Sequence, residues 1–321
     1  MLRILKSRSL QLFAYAVLLC SLTNAQQPAG FSLGSGRNPS LAGASGDGAL
    51  MLTYVSGYPG SGYGLNSYYL NYDTFIEKAH GGAGIFISSD NTGGLLNDSR
   101  LRLAYSYHLR ASRDLFVFAG MSAGVIYRSF NTSKLIFPDQ IDPLNGPVLP
   151  AGEAILSPSV IIYDMGVGFT VLYRNSMLSF DASHLFKPDL SGLGIPGTEL
   201  SRVFTVQAFT RQGLRKEDIF LVPYAEMSVG GGNYRIAIGP ALEYSSVSAG
   251  VLWLKTHNNS SIQTSISVRS GRMSWHYAFR FLAGEAEAGL PFGLMHQAGL
   301  RAGLNIVDKR KTIKAINLPD L

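Results

Sequence analysis

Apolar and polar residues alternate with a period of two along most of this chain. In Leu101–Arg110 the odd positions are Leu101, Leu103, Tyr105, Tyr107 and Leu109, and the even ones are Arg102, Ala104, Ser106, His108 and Arg110. Successive side chains on a strand point to opposite faces, so one face of this stretch is fat and the other wet. The tight turn Ala111–Asp114 leads to a second such strand, and a long polar excursion follows. Repeated along the sequence, the pattern predicts strands at 49–57, 64–76, 81–88, 99–110, 115–130, 159–173, 177–186, 201–211, 218–227, 233–242, 245–254, 261–269, 273–282 and 294–306. In 273–282, for example, Met273, Trp275, Tyr277, Phe279 and Phe281 oppose Ser274, His276, Ala278 and Arg280.

The wet face is mostly Ser, Gln, Gly, Arg and His, whereas the exposed face of a soluble sandwich carries more Lys and Glu. The four longest predicted connections all follow odd-numbered strands. Long loops at one end and short turns at the other characterise outer-membrane barrels with both termini in the periplasm. In lipid every backbone N–H and C=O must be paired, so such a sheet closes on itself. The fold expected is all-β: a transmembrane antiparallel β-barrel of about 14 strands after a cleaved signal peptide.

The ends and the charge refine this picture. Residues 1–25 read as a signal peptide for Sec export: Arg3, Lys6 and Arg8, an apolar run Leu10–Cys20, and Thr23-Asn-Ala25 before Gln26. Leu19 argues against lipoprotein processing at Cys20. After cleavage the chain has no cysteine, which excludes disulfides and thiolate chemistry. The formal charge of +6 loses three positives with the signal, and the tail holds Lys309, Arg310, Lys311 and Lys314 against Asp308 and Asp320. The barrel itself is nearly neutral, so the charge is no nucleic-acid footprint. The segments expected are 26–48, a periplasmic N-terminal segment; 49–306, the barrel; and 307–321, a basic C-terminal tail.

An ordered set of motifs resembles the PorP/SprF membrane proteins of type IX secretion and gliding in Bacteroidetes. The set is Asn38-Pro39-Ser-Leu-Ala-Gly43, Ala104-Tyr105-Ser-Tyr107-His108-Leu-Arg110 leading to Ser112-Arg-Asp-Leu115, Leu135-Ile-Phe137-Pro138-Asp139-Gln140-Ile-Asp142-Pro143, Asp164-Met-Gly-Val-Gly168, Ser183-His-Leu185 and His296. The resemblance implies a non-enzymatic outer-membrane component without cofactors. Its implied partners are a periplasmic peptidoglycan-associated lipoprotein or secretion-ring component, a large secreted adhesin, and outer-membrane lipid. On that footing Arg215 and Lys216 in the 211–218 turn, with the tail, are candidates for the envelope partner. Phe137, Pro138, Asp139, Gln140 and Asp142 in the 131–158 loop, with the 187–200 loop, are candidates for the surface partner. The alternative is a porin or small-solute channel. The chain departs from the family in ending its last strand near Ile306 and continuing into a tail, where family members end at an aromatic residue.

Other chemistry is thinner. Asp139 and Asp142 are two carboxylates toward a calcium site, which needs further oxygens in a pattern; loop stiffening by Pro138 and Pro143 is the plainer account. Asp181, Ser183 and His184 suggest a hydrolase, but alternation on a strand turns His184 away from the other two. The remaining histidines lack metal-ligand spacing. Tyr105, Tyr107, Tyr127, Tyr163, Tyr173, Trp253, Trp275 and Tyr277 read as interface girdles. Arg102, Arg235, Arg269, Arg280 and Arg301 fall on wet faces, either filling the lumen against Glu243, Asp164 and Asp181 or lining a weak anion channel.

Overall fold

The computed structural model describes residues 34–46, 48–58, 64–131, 140–142, 146–147, 159–190, 199–214, 218–257, 259–283 and 295–304. Signal peptide and tail lie outside the described residues. The strands are β1 Ala49–Gly57, β2 Leu65–Ile76, β3 Gly81–Thr92, β4 Leu96–Arg110, β5 Leu115–Phe130, β6 Ser159–Tyr173, β7 Ser176–Ser183, β8 Val203–Thr210, β9 Ile219–Gly230, β10 Asn233–Tyr244, β11 Val247–Thr256, β12 Ser260–Ser270, β13 Met273–Leu282 and β14 Met295–Gly303. Each pairs antiparallel with the next, and β1 pairs β14 from Ala49↔Gly303 to Gly57↔Met295. The sheet is therefore a closed 14-strand barrel, without an edge to protect. Gln212–Gly213 continues β8 beyond Arg211 and keeps pairing with β9.

The period of two decides what each face meets. On β4, Leu101, Leu103, Tyr105, Tyr107 and Leu109 are exposed, while Ser106 and His108 are buried. On β5 and β6, Met121, Tyr163 and Phe169 stand outside, and Phe118, Thr170 and Leu172 inside. An apolar outer wall over a polar or packed interior suits surrounding lipid. All eight girdle aromatics are exposed. Tyr105 also donates to the Ala79 carbonyl at 2.7 Å, fixing the β2–β3 turn, and Trp253 Nε1 donates to Ser260 Oγ at 2.8 Å.

The wall is uneven in height. β1 and β14 have 9 residues each, close to the 9–11 a membrane strand needs. β4, β5 and β6 have 15, 16 and 15, more than that band requires. The β3–β4 hairpin runs further than its sequence predicts, turning at 93–95 instead of 89–98. Asp90 and Asp98 look like loop residues, yet both are buried, and the two carboxylates bind arginines there.

Long connections at 131–158, 184–202 and 283–294 leave the barrel opposite the termini. On the terminus side, with Gln212–Gly213 still paired, the β8–β9 connection is only 214–218, shorter than 58–64 at the other end. The β9–β10 connection is only Gly231-Gly232, with φ of 60° and 77°, the left-handed geometry of a two-residue hairpin turn. By the rule that short turns face the periplasm, the terminus end is the periplasmic end.

Candidate functional site

Residues 34–46 lie inside the barrel, where the sequence led us to expect a periplasmic segment. Gly48 accepts from the Leu304 amide at 2.7 Å beside the barrel seam, and the preceding residues fold into the lumen. Asn38 caps a single turn, Pro39–Leu41: its Oδ1 accepts from the Ser40 amide at 2.9 Å and from Ser40 Oγ at 2.7 Å. Pro39 is preset for such a turn and lacks an N–H to satisfy. Ser40 Oγ also lies 2.7 Å from Thr170 Oγ1 on β6, and Asn38 Nδ2 donates to the Phe180 carbonyl on β7 at 3.3 Å. From β4, Ser106 Oγ donates to the Ser40 carbonyl at 2.7 Å, and His108 Nε2 to the Ala42 carbonyl at 3.0 Å. Asn38 and Ser40 are fully buried, with their polar atoms partnered by the wall.

Glycines on the inner wall make room for this segment. A Cβ on Gly120 would stand 2.5 Å from the Ser40 amide nitrogen, one on Gly168 would overlap Asn38 Oδ1, and one on Gly82 would overlap the Ala42 carbonyl. Gly43 has a φ of 68°, and its missing side chain would meet Thr74 O at 2.7 Å. Below the turn, Leu41 and Ala44 join Phe118, Leu172, Met177, Phe209, Val222 and Tyr224 in one buried apolar cluster. His108 stacks on Phe118 with ring centroids 4.0 Å apart. Segment and wall thus fill the lumen toward the periplasmic end with packed side chains.

Above the turn the interior is ionic. Glu226 on β9 accepts at Oε1 from Arg37 of the segment at 2.8 Å and from Arg235 at 2.7 Å. Its Oε2 accepts from Gln207 at 3.1 Å and from Tyr224 at 2.5 Å. Higher still, Arg128 makes a two-pronged contact with Asp98 (2.7 and 2.6 Å), and Arg100 binds Asp90 at 2.7 Å. Bidentate pairing is the strong form of this interaction. Arg280 donates to Gln263 Oε1 at 2.8 Å. Ser35 at the head of the segment contacts Asn71 and Asp73 at 2.9 and 3.1 Å. Between the Glu226 and Asp98 levels lies a cavity of about 80 Å³, lined in part by Gly36, Arg37, Arg102, Asp181 and His184.

Several expected pairings differ. Glu243 is taken by Arg211 at 2.6 Å and Asp164 by His184 at 2.9 Å, because those partners sit closer than the inward arginines. Arg269 is exposed near the end of β12. His184 leaves the strand at a φ of 59° and turns inward, lining the same cavity as Asp181 and Ser183. Its Nδ1 is engaged by Asp164, and among the described residues no hydrogen bond joins it to Ser183. Among the described residues no group of His, Cys, Asp and Glu could hold a metal ion.

Of the candidate residues, Asn38, Pro39 and Gly43 belong to the inserted segment, and His108 holds it. Tyr105 and Tyr107 are on the outer wall. Phe137, Pro138, Asp139, Arg215 and Lys216 lie outside the described residues. Gln140 precedes a small hairpin in which Asp142 pairs with Gly146. Asp90, Asp98, Arg128 and Glu226 were missed. For the last two the signal was available, since Arg128 and Glu226 share the buried face of their strands with Ile126 and Tyr224.

The CymD monoaromatic hydrocarbon channel is similar in structure, at 10% identity over 85% of this chain and 93% of that one, with a TM-score of 0.51. The Pseudomonas putida toluene transporter TodX follows at 12% identity over 86% and 94%, TM-score 0.49. The Acinetobacter baumannii outer membrane protein Omp33 stands at 7% over 81% and 99%, TM-score 0.45. The likeness to CymD is one of fold. No curated protein matches the chain in sequence. Residues 35–297, which begin in the inserted segment and run to the last strand, match the family described as type IX secretion system membrane protein PorP/SprF. The chain is an outer-membrane barrel and belongs to the PorP/SprF family of the type IX secretion system.

Proposed function

We propose that this barrel works by binding rather than by conduction or catalysis: it is a sealed outer-membrane mount to which other parts of the secretion machinery attach. The observation that carries this reading is the interior, in which residues 34–46 and the inward side chains occupy the space a solute would use. A barrel filled in this way offers its partners the two ends and the lipid-facing wall. At the periplasmic end, the 211–218 turn with Arg215 and Lys216, and the 307–321 tail, receive a peptidoglycan-associated lipoprotein or a secretion-ring component. At the outer end, the 131–158 loop with Phe137, Pro138, Asp139, Gln140 and Asp142, and the 187–200 loop, hold a large secreted adhesin. The β8–β9 turn rests on a firm base, because Arg211 is clamped between Glu243 and the Phe220 ring, its guanidinium carbon 3.4 Å from the ring centroid.

Affinity capture of the tagged protein from gently solubilised outer membranes, read by mass spectrometry, tests this. The expected eluate contains a peptidoglycan-binding lipoprotein or a very large adhesin. Deleting 134–143 removes the adhesin and leaves the lipoprotein, while replacing Arg215 and Lys216 with Glu does the reverse. A folded barrel eluting with neither partner would contradict the reading.

A further inference from the structure

Two opposite charges line the cavity above the inserted segment and, among the described residues, belong to no salt bridge. Arg102 donates from Nη1 to the Gly36 carbonyl at 3.0 Å and lies over the Phe86 ring at 5.7 Å, leaving further guanidinium donors unused. Asp181, 5% exposed, faces the same cavity. Among the described residues neither forms a salt bridge, whereas the neighbouring charges are matched: Arg128 and Arg100 with Asp98 and Asp90, and Arg37 with Glu226.

A buried charge without a partner is costly, and a charge-assisted hydrogen bond relieves it. A lone anion placed here would be drawn to Arg102 and repelled by Asp181, and a lone cation the reverse. An occupant carrying both charges satisfies both walls. The volume of about 80 Å³ leaves room for only a few non-hydrogen atoms, and Tyr69, Phe86, Ile126 and Leu200 supply apolar lining. We propose that this cavity binds a small zwitterion of the α-amino acid class, its carboxylate on Arg102 and its ammonium on Asp181. Because Gly36 and Arg37 also line the cavity, such an occupant fastens the inserted segment to the wall.

The test is calorimetric titration of the purified full-length barrel in detergent with glycine and with L-alanine, against acetate and methylammonium at matched ionic strength. Glycine and alanine are expected to bind, with acetate and methylammonium weaker by about tenfold or more, the worth of one charged hydrogen bond. Asp181→Asn should lose glycine and gain acetate, because Arg102 then stands unopposed. Arg102→Gln should lose glycine and gain methylammonium. Should Arg102→Gln fail to fold, Asp181→Asn carries the test alone. No heat from either amino acid, acetate binding as tight as glycine, or glycine binding retained in Asp181→Asn would each overturn the proposal.

Discussion

Gly168 carries no side chain because Asn38 Oδ1 occupies the space where one would stand. Gly168→Ala should therefore push the inserted segment from its seat, at a cost of about 1–3 kcal/mol for overpacking. The check is the thermal midpoint together with protease access to the N-terminal segment. Gly213→Ala, where a Cβ would meet only the Phe220 ring at 3.7 Å, should leave both readings unchanged. Asp98 and Arg128 give a second residue-scale prediction, since their side chains are 2% and 4% exposed. Asp98→Ala takes the carboxylate from a buried guanidinium and should cost about 3–5 kcal/mol in a refolding titration. The double variant Asp98→Leu/Arg128→Met should recover part of that loss, because both buried charges go together and Arg100 keeps Asp90.

At the scale of elements, the strands were legible and the inserted segment was not, and the physics explains both. Alternation is a local property: Leu101, Leu103 and Tyr105 announce a lipid face within five residues, whatever lies across the barrel. The seat of Asn38 is not local, because Phe180 and Thr170 stand far along the chain. The sequence holds only its traces, a capped Asn-Pro-Ser turn and glycines on wet faces at 82, 120 and 168. The upper parts of β3 and β4 were hidden for a different reason. Asp90 and Asp98 read as loop residues until Arg100 and Arg128 are seen to neutralise them inside the lumen. Asn38→Ala removes a cap and the bonds to Ser40 and Phe180, and should loosen the segment by about 1–3 kcal/mol. Hydrogen exchange at residues 38–44 would register it while the strands stay protected.

For the whole molecule, closure through β1 and β14 makes the barrel a single unit, with lipid as the solvent of its outer wall. Leu103 sits midway along β4 and is 55% exposed, so Leu103→Arg would put a charge near the middle of the hydrocarbon band. The expected cost is about 2–4 kcal/mol, measured as a lower midpoint for folding into lipid vesicles. Inward at the same height, Arg102 is tolerated, because it faces the lumen, where its Nη1 donates to the Gly36 carbonyl. That contrast between adjacent residues is the barrel's design in its smallest form.

The proposed role requires that the protein's own N-terminal segment seal the lumen. Planar-bilayer recording of the mature chain beside a variant lacking residues 26–46 tests it most directly. The mature chain is expected to pass no steady current, and the shortened barrel, still closed by β1 and β14, to conduct. Steady porin-like conductance from the intact mature chain would contradict it.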